Sequence, residues 1–353
     1  MHAVKRAVFA AMLMALLAVG TTAHAGPPLQ PRKSKPHEPA SNYHKRPEVK
    51  AFIDETAKRY GFRRDSLRKL FAGVQAQPSI LQAMSRPIEQ PPKWYEYKTH
   101  LITDERIARG VAYWRDNARG LAEAEREFGI PAEIIVAIVG VETFYGRIPG
   151  RFRVIDALTT LAFDYPRRAE FFRKELTEFL LLCREQKLSP LKPRGSFAGA
   201  MGLPQFMPGT FRRYAVDFDG DGKIDIWNEN EDSIGSVANF LQWHGWQHGG
   251  PLLVPAQIDS EEVLLQLNGG LSDRRTVQQW EAEGVRPREP IPHLDAESAA
   301  ALVMLEEPAV STYWLGFNNF YVLTRYNRSR LYASAVFELA DRIKRARPAS
   351  ASR

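Results

Sequence analysis

Apolar residues recurring at intervals of three and four mark most of this chain as helical. Val49, Phe52, Ile53 and Tyr60 follow that period, so order is expected from Glu48, with Gly61 placed to end the first helix. Leu67, Leu70 and Phe71 share a face in a second helix after Asp65. One long helix is predicted from about Asp104 to Phe128, stopped by Gly129, and Pro131 suits the first turn of the next. The segment after Pro166 repeats the period, with Phe171, Leu176, Phe179, Leu180 and Cys183 inward. Another helix is expected from Asp232 to about His244, and a closing one places Tyr332, Ala335, Val336, Leu339 and Ile343 on one side. The pattern changes between roughly residues 250 and 325, where PLLVPAQI, AALVML and FYVLTRY read as short strands. The expected fold is therefore mainly α, strictly α+β, with a small β-containing insertion.

The two ends stand outside this pattern. Lys5 and Arg6, the apolar run VFAAMLMALLAVG and Ala23-His24-Ala25 read as a secretory signal over residues 1–25, so the mature chain is expected outside the cytoplasm. The alternative of an uncleaved anchor has to contend with a run shorter than the ~20 residues of a membrane span. Residues 26–47 are rich in proline and basic residues and are expected to form a flexible leader, residues 48–347 the folded region, and residues 348–353 a disordered tail.

Composition narrows the classes. With 353 residues, 44% hydrophobic and 25% charged, the chain is globular and able to bury a sizeable core. Its only cysteine, Cys183, excludes a disulfide framework and fits a small core residue better than a nucleophile. The formal charge of +7 falls to +5 once Lys5 and Arg6 leave with the signal, a modest excess compatible with an acidic polymer. No arginine-rich arm, zinc spacing or RNA-binding aromatic motif accompanies it, which argues against nucleic acid.

One carboxylate stands out. Between Glu133 and Glu142 the chain reads IIVAIVGV, apolar on every side, so this helix belongs in the centre of its domain. Glu142 shares a face with Ile135 and Ile138. A buried carboxylate without a partner keeps its proton or faces a cleft, and either raises its pKa. A protonated carboxyl near neutral pH is what a glycosidase needs to donate a proton to a glycosidic oxygen. The alternative is that the helix ends near Val141 and Glu142 emerges to pair with Arg147. Thr143-Phe144-Tyr145-Gly146 favours function, since aromatic rings desolvate a carboxyl and offer flat faces to sugars.

A second cluster is acidic. In DFDGDGKIDIW, Asp217, Asp219, Asp221, Lys223 and Asp225 occupy alternate positions of a calcium-binding loop, with Gly222 at the turn and Lys223 offering its backbone carbonyl. Asn228 replaces the usual twelfth-position glutamate, and Asp232 is the candidate substitute. An acidic surface turn without metal is the plainer reading. As a lone loop among helices it is expected to act as a structural Ca2+ clip, not as part of the chemistry.

The blocks GVETFYGR, DALTTLAFDYPRRAEFF, GSFAGAMGLPQFMPGTF, DFDGDGKIDIW and FYVLTRYN, in this order, resemble the lytic murein transglycosylase B family from about Tyr43 to Arg347. That resemblance implies a lysozyme-like helical core. It implies cleavage between N-acetylmuramic acid and N-acetylglucosamine in peptidoglycan without water, leaving a 1,6-anhydromuramic end, with Glu142 as the single acid and base. It places Ser196, Gln205, Tyr326, Asn327 and Tyr97 in the substrate cleft, and sets Arg167 and Arg168 toward the acidic stem peptide, which a guanidinium suits. Plainer roles exist for each: a loop hydroxyl for Ser196, backbone bonding for Gln205, core for Tyr326, a helix cap for Asn327, a solvated turn for the arginines. Phe240 stands where the family is expected to carry tyrosine, so a ring remains but a hydroxyl is lost. Asp156 and Asp164 would be the other carboxylates to consider, a helix cap and a turn residue being their plainer roles. The family's better-known member is a lipoprotein, whereas no cysteine lies near this signal, so a soluble periplasmic enzyme acting on glycan strands and stem peptides is implied, with other cell-wall enzymes as further partners.

Overall fold

The computed structural model describes residues 42–348 except 86–90, 260–261, 267–270 and 291–296. The signal, most of the leader and nearly all of the tail lie outside the described residues. Seven helices come first: α1 (Pro47–Tyr60), α2 (Arg64–Ala72), α3 (Pro78–Met84), α4 (Trp94–Leu101), α5 (Asp104–Asp116), α6 (Ala118–Phe128) and α7 (Ala132–Thr143). A short strand β1 (Phe152–Arg153) leads into α8 (Val154–Asp164) and α9 (Ala169–Glu185), and pairs antiparallel with β2 (Arg194–Gly195). After α10 (Pro208–Tyr214) and α11 (Asn230–Trp243) comes the sheet region: β3 (Leu253–Ile258), α12 (Glu262–Gln266), β4 (Arg274–Thr276), α13 (Val277–Ala282), β5 (Val285–Pro287), β6 (Ala299–Leu305) and β7 (Thr312–Gly316). The chain ends in α14 (Asn318–Tyr326) and α15 (Arg330–Ala346).

The core is organised around α7, where every residue except Glu133 is buried. An all-apolar helix demands cover on all sides. Helices α5, α6, α11 and α15 provide it, with α15 lying along α7 through Tyr332, Ala335, Val336, Leu339 and Ile343, all buried. The five strands form an antiparallel sheet in the order β4-β6-β7-β3-β5. In its centre Val303 stands opposite Trp314 and Val254 opposite Leu315. A separate small core, including Trp280, Val285 and Leu315, fills one side of this sheet.

Four expectations need correction. The long helix predicted over Asp104–Phe128 is two, because Asn117 takes a non-helical conformation between them, its side chain joining its backbone N–H on the Tyr113 carbonyl at 2.8 Å. FYVLTRY is helix, not strand: Asn319, Val322, Leu323 and Tyr326 are buried at helical spacing, and β-branched and aromatic content misled the reading. Phe172 is the fully buried ring of α9, whereas Phe171 is only half-buried, packed against the core beneath the Arg168 guanidinium. Order begins earlier than Glu48, since Pro47 opens α1 and Tyr43 is fully buried with its hydroxyl on the Asp164 carboxylate.

Candidate active site

Glu142 is the penultimate residue of α7 and only 6% exposed. Its Oε1 accepts a hydrogen bond of 2.7 Å from the Tyr332 hydroxyl on α15. Arg147 is elsewhere, paired with Glu105 at 3.1 Å, so the alternative of a surface ion pair for Glu142 does not hold. Burial pushes the Glu142 carboxyl up to about 7, while the Tyr332 hydrogen bond, which favours the charged form, pulls the other way.

The helix stops one residue after the acid, at Thr143. Phe144 and Tyr145 both adopt left-handed backbone, with φ of 53° and 57°. Two successive non-glycine residues in that region are strained and persist only where packing holds them. Thr143 Oγ1 lies 3.2 Å from the carbonyls of Val139 and Leu203 and accepts from Gly146 N–H, tying the turn to the following loop. The Phe144 ring sits beneath the guanidinium groups of Arg106, Arg109 and Arg147, 4.8 to 5.6 Å from its centroid. The Tyr145 ring fills the notch over Gly140, where a Cβ would come within 2.6 Å of its Cζ.

Around the acid is an aromatic wall. Tyr326 lies face to face with Tyr332, centroids 6.3 Å apart, and donates its hydroxyl to the Pro204 carbonyl at 2.7 Å. Phe240 meets Tyr326 edge-on at 4.9 Å. Burial raises the Tyr97 phenol pKa, and the nearby Glu142 charge adds to the shift. Asn327 ends α14 beside this wall and is 2% exposed.

The other expected contacts lie on the neighbouring loops and turns. Ser196 Oγ accepts from the Ala198 and Ala200 N–H groups at 3.2 and 3.0 Å, so its oxygen shapes its own loop. Gln205 is also left-handed, and its amide nitrogen donates to the carbonyls of Gly202 and Pro149. Both buried side chains therefore brace the loop that the Leu203 carbonyl joins to the end of α7. Arg167 is exposed in a turn, and Arg168 stacks on Phe171 with its pKa lowered by burial and by nearby Arg328. Asp156 is taken by Arg153, and Asp164 by Arg46 and Tyr43, so neither is free to act with Glu142. Cys183 is buried in α9, as a core residue should be.

Tyr332 is the site residue the sequence reading missed. It was recognised only as part of an apolar helix face. Its hydroxyl in that face was the available signal, because a buried phenol requires a polar partner.

In the acidic loop, carboxylate oxygens of Asp217, Asp219 and Asp221 lie within 4.8 Å of one another, as do those of Asp219, Glu229 and Asp232. Asp232 is fully buried and accepts from the N–H groups of Phe218 and Asp225, both at 2.7 Å, while the Lys223 ammonium pairs with Asp221 at 3.1 Å. Glu229 Oε2 is buried without a hydrogen-bond partner among the described residues. Converging carboxylates with an orphaned oxygen fit a hard cation. Asn228, at the twelfth position, donates to the Asp225 carboxylate at 2.8 Å, and Glu229, one residue further, is a carboxylate that the loop spacing does not point to.

The Transglycosylase SLT domain matches residues 44–341. The chain belongs to the lytic murein transglycosylase family. Membrane-bound lytic murein transglycosylase B of Escherichia coli (strain K12) is 39% identical over 310 residues, 85% of this chain and 84% of its own. The soluble lytic transglycosylase SltB1 from Pseudomonas aeruginosa is 50% identical, with a TM-score of 0.81 over 85% of this chain and 99% of its own. The Escherichia coli lytic transglycosylase Slt35 in complex with calcium is 38% identical, with a TM-score of 0.80 over 89% of this chain and 99% of its own. This lytic transglycosylase is thus an enzyme that cleaves peptidoglycan on a lysozyme-like helical core. No helix of its described residues is long and apolar enough to cross a membrane.

Proposed function

We propose that Glu142 is the single acid and base with which this transglycosylase breaks the β-1,4 bond between N-acetylmuramic acid and N-acetylglucosamine. The observation that carries this reading is a buried carboxyl held near pKa 7 with one hydroxyl as its partner. In the first step the protonated carboxyl gives its proton to the departing O4 of N-acetylglucosamine as the C1–O bond breaks. The acetamido carbonyl oxygen of the muramic sugar bonds to its own C1, closing a cationic five-membered ring. Glu142, now a carboxylate, takes the proton from the 6-hydroxyl, whose oxygen displaces the acetamido oxygen at C1. The product is a 1,6-anhydro ring and the carboxyl ends protonated, as it began. A single carboxylate places this among the substrate-assisted exceptions to the two-carboxylate scheme.

Tyr332 holds Glu142 in place and steadies its charge between the two steps. Tyr97, Tyr326, Phe240 and Asn327 line the sugar path, Ser196 and Gln205 shape and contact it from the loop, and Arg167 and Arg168 receive stem-peptide carboxylates. A calcium ion at Asp217, Asp219, Asp221, the Lys223 carbonyl and Asp232, with Glu229 added, would supply no chemistry and would hold the loop to α11. The expected setting is the periplasm, with other cell-wall enzymes as partners.

Glu142→Gln keeps the side chain's shape and removes the titratable proton. Turnover of purified sacculi should drop by at least about 10²-fold with an unchanged circular dichroism spectrum. Turnover within a few-fold of wild type would sink the assignment.

A further inference from the structure

The rings around Glu142 continue well past the carboxylate. Tyr332 stacks with Tyr326, and Tyr326 meets Phe240. Phe240 stacks on His244 at 4.1 Å and meets Tyr214 edge-on at 5.2 Å, and Tyr214 in turn meets Trp243 at 6.0 Å. His244 is fixed in this row, its Nδ1 lying 2.7 Å from the Phe240 carbonyl. Tyr332, Tyr326 and Phe240 are buried, whereas Trp243 at the end of the row is 71% exposed. Trp243 is the only aromatic among the described large hydrophobic residues left exposed. It follows Phe240 by three positions on α11, which puts the two on adjoining parts of one helix face.

A solvent-exposed indole braced by the Tyr214 ring is a flat apolar surface with little rotamer freedom to lose on binding. Its chemical complement is a pyranose ring, whose C–H bonds present slightly positive hydrogens to the negative face of the π system. Continuity with the aromatic wall at Glu142 selects the occupant: the same glycan strand, at a sugar farther along.

We propose that Trp243, braced by Tyr214, is an outer sugar-binding platform that makes this enzyme favour long glycan strands over short ones. The inference rests on the proposed role of Glu142 and of the aromatic wall. A long strand reaches from the acid to the platform and gains its contact, whereas a short one occupies only the sites near the acid.

The test compares kcat/KM for purified long glycan strands with that for a tetrasaccharide from the same source, in wild type, Trp243→Ala and Trp243→Phe. Trp243→Ala should lower the long-to-short ratio about tenfold, or ~1.4 kcal/mol, mainly through KM. Trp243→Phe, which keeps a flat ring, should retain most of it. A Trp243→Ala ratio equal to wild type, or equal losses on both lengths, overturns the proposal. The two readings fail separately: activity persisting in Glu142→Gln on either substrate removes the acid, while the length ratio reports on Trp243 alone.

Discussion

Two opposed effects set the proton on Glu142: burial disfavours its anion, and the Tyr332 hydroxyl stabilises it. The free enzyme needs the proton on to start, so kcat/KM should be highest below the carboxyl's pKa of about 7 and fall as pH rises through it. Tyr332→Phe removes the hydrogen bond to the charged form. The carboxyl pKa then rises, and the alkaline limb of the kcat/KM profile should move up by about one pH unit. A limb that stays or moves down would show that Tyr332 does not bond the acid in solution. Glu142 was legible in the sequence because a carboxylate in an all-apolar helix has few physical explanations. Tyr332 was not, because periodicity shows which face a residue occupies and not which side chain 190 positions away it meets. Ser196 and Gln205 were legible only through the family blocks, and their bonds to loop backbone are the kind of contact that spacing never reveals.

Helix α7 delivers the acid at its last turn, and the turn after it is locked by Tyr145 seated over Gly140. A methyl group at Gly140 would meet the Tyr145 ring, so the ring or the helix end must move. Gly140→Ala should cost roughly 1–3 kcal/mol of stability and lower kcat, because Glu142 is two residues from the clash. Adding Tyr145→Leu should recover part of the stability by removing the ring, a non-additivity that a thermal denaturation cycle would measure. Additive losses would mean the two residues do not touch. The helices themselves were readable from their period, with Gly61 and Gly129 ending α1 and α6 as expected. The strand reading of FYVLTRY failed because a short apolar run has no period long enough to separate helix from strand; burial of Asn319, held by Gln247 and Gly250, decides it.

Across the whole molecule, one core spans the helices from Tyr43 to Ile343, and the sheet carries a smaller core of its own. The acidic loop is pinned to α11 by Asp232, so a cation there should stabilise the fold and not the reaction step. Calcium at a hundredfold excess over its Kd should add about 2.7 kcal/mol, seen as a rise in Tm that a chelator reverses, and Glu229→Gln should shrink that rise. No calcium-dependent change in Tm would argue against the site. The central claim concerns the bond made when the glycan breaks. Muropeptides released from purified sacculi by the wild-type enzyme and by Glu142→Gln, analysed by mass spectrometry, test it most directly. The wild type should release products lighter by one water than reducing-end muropeptides, and the variant should release essentially none; reducing-end products, or anhydro products from the variant, would contradict it.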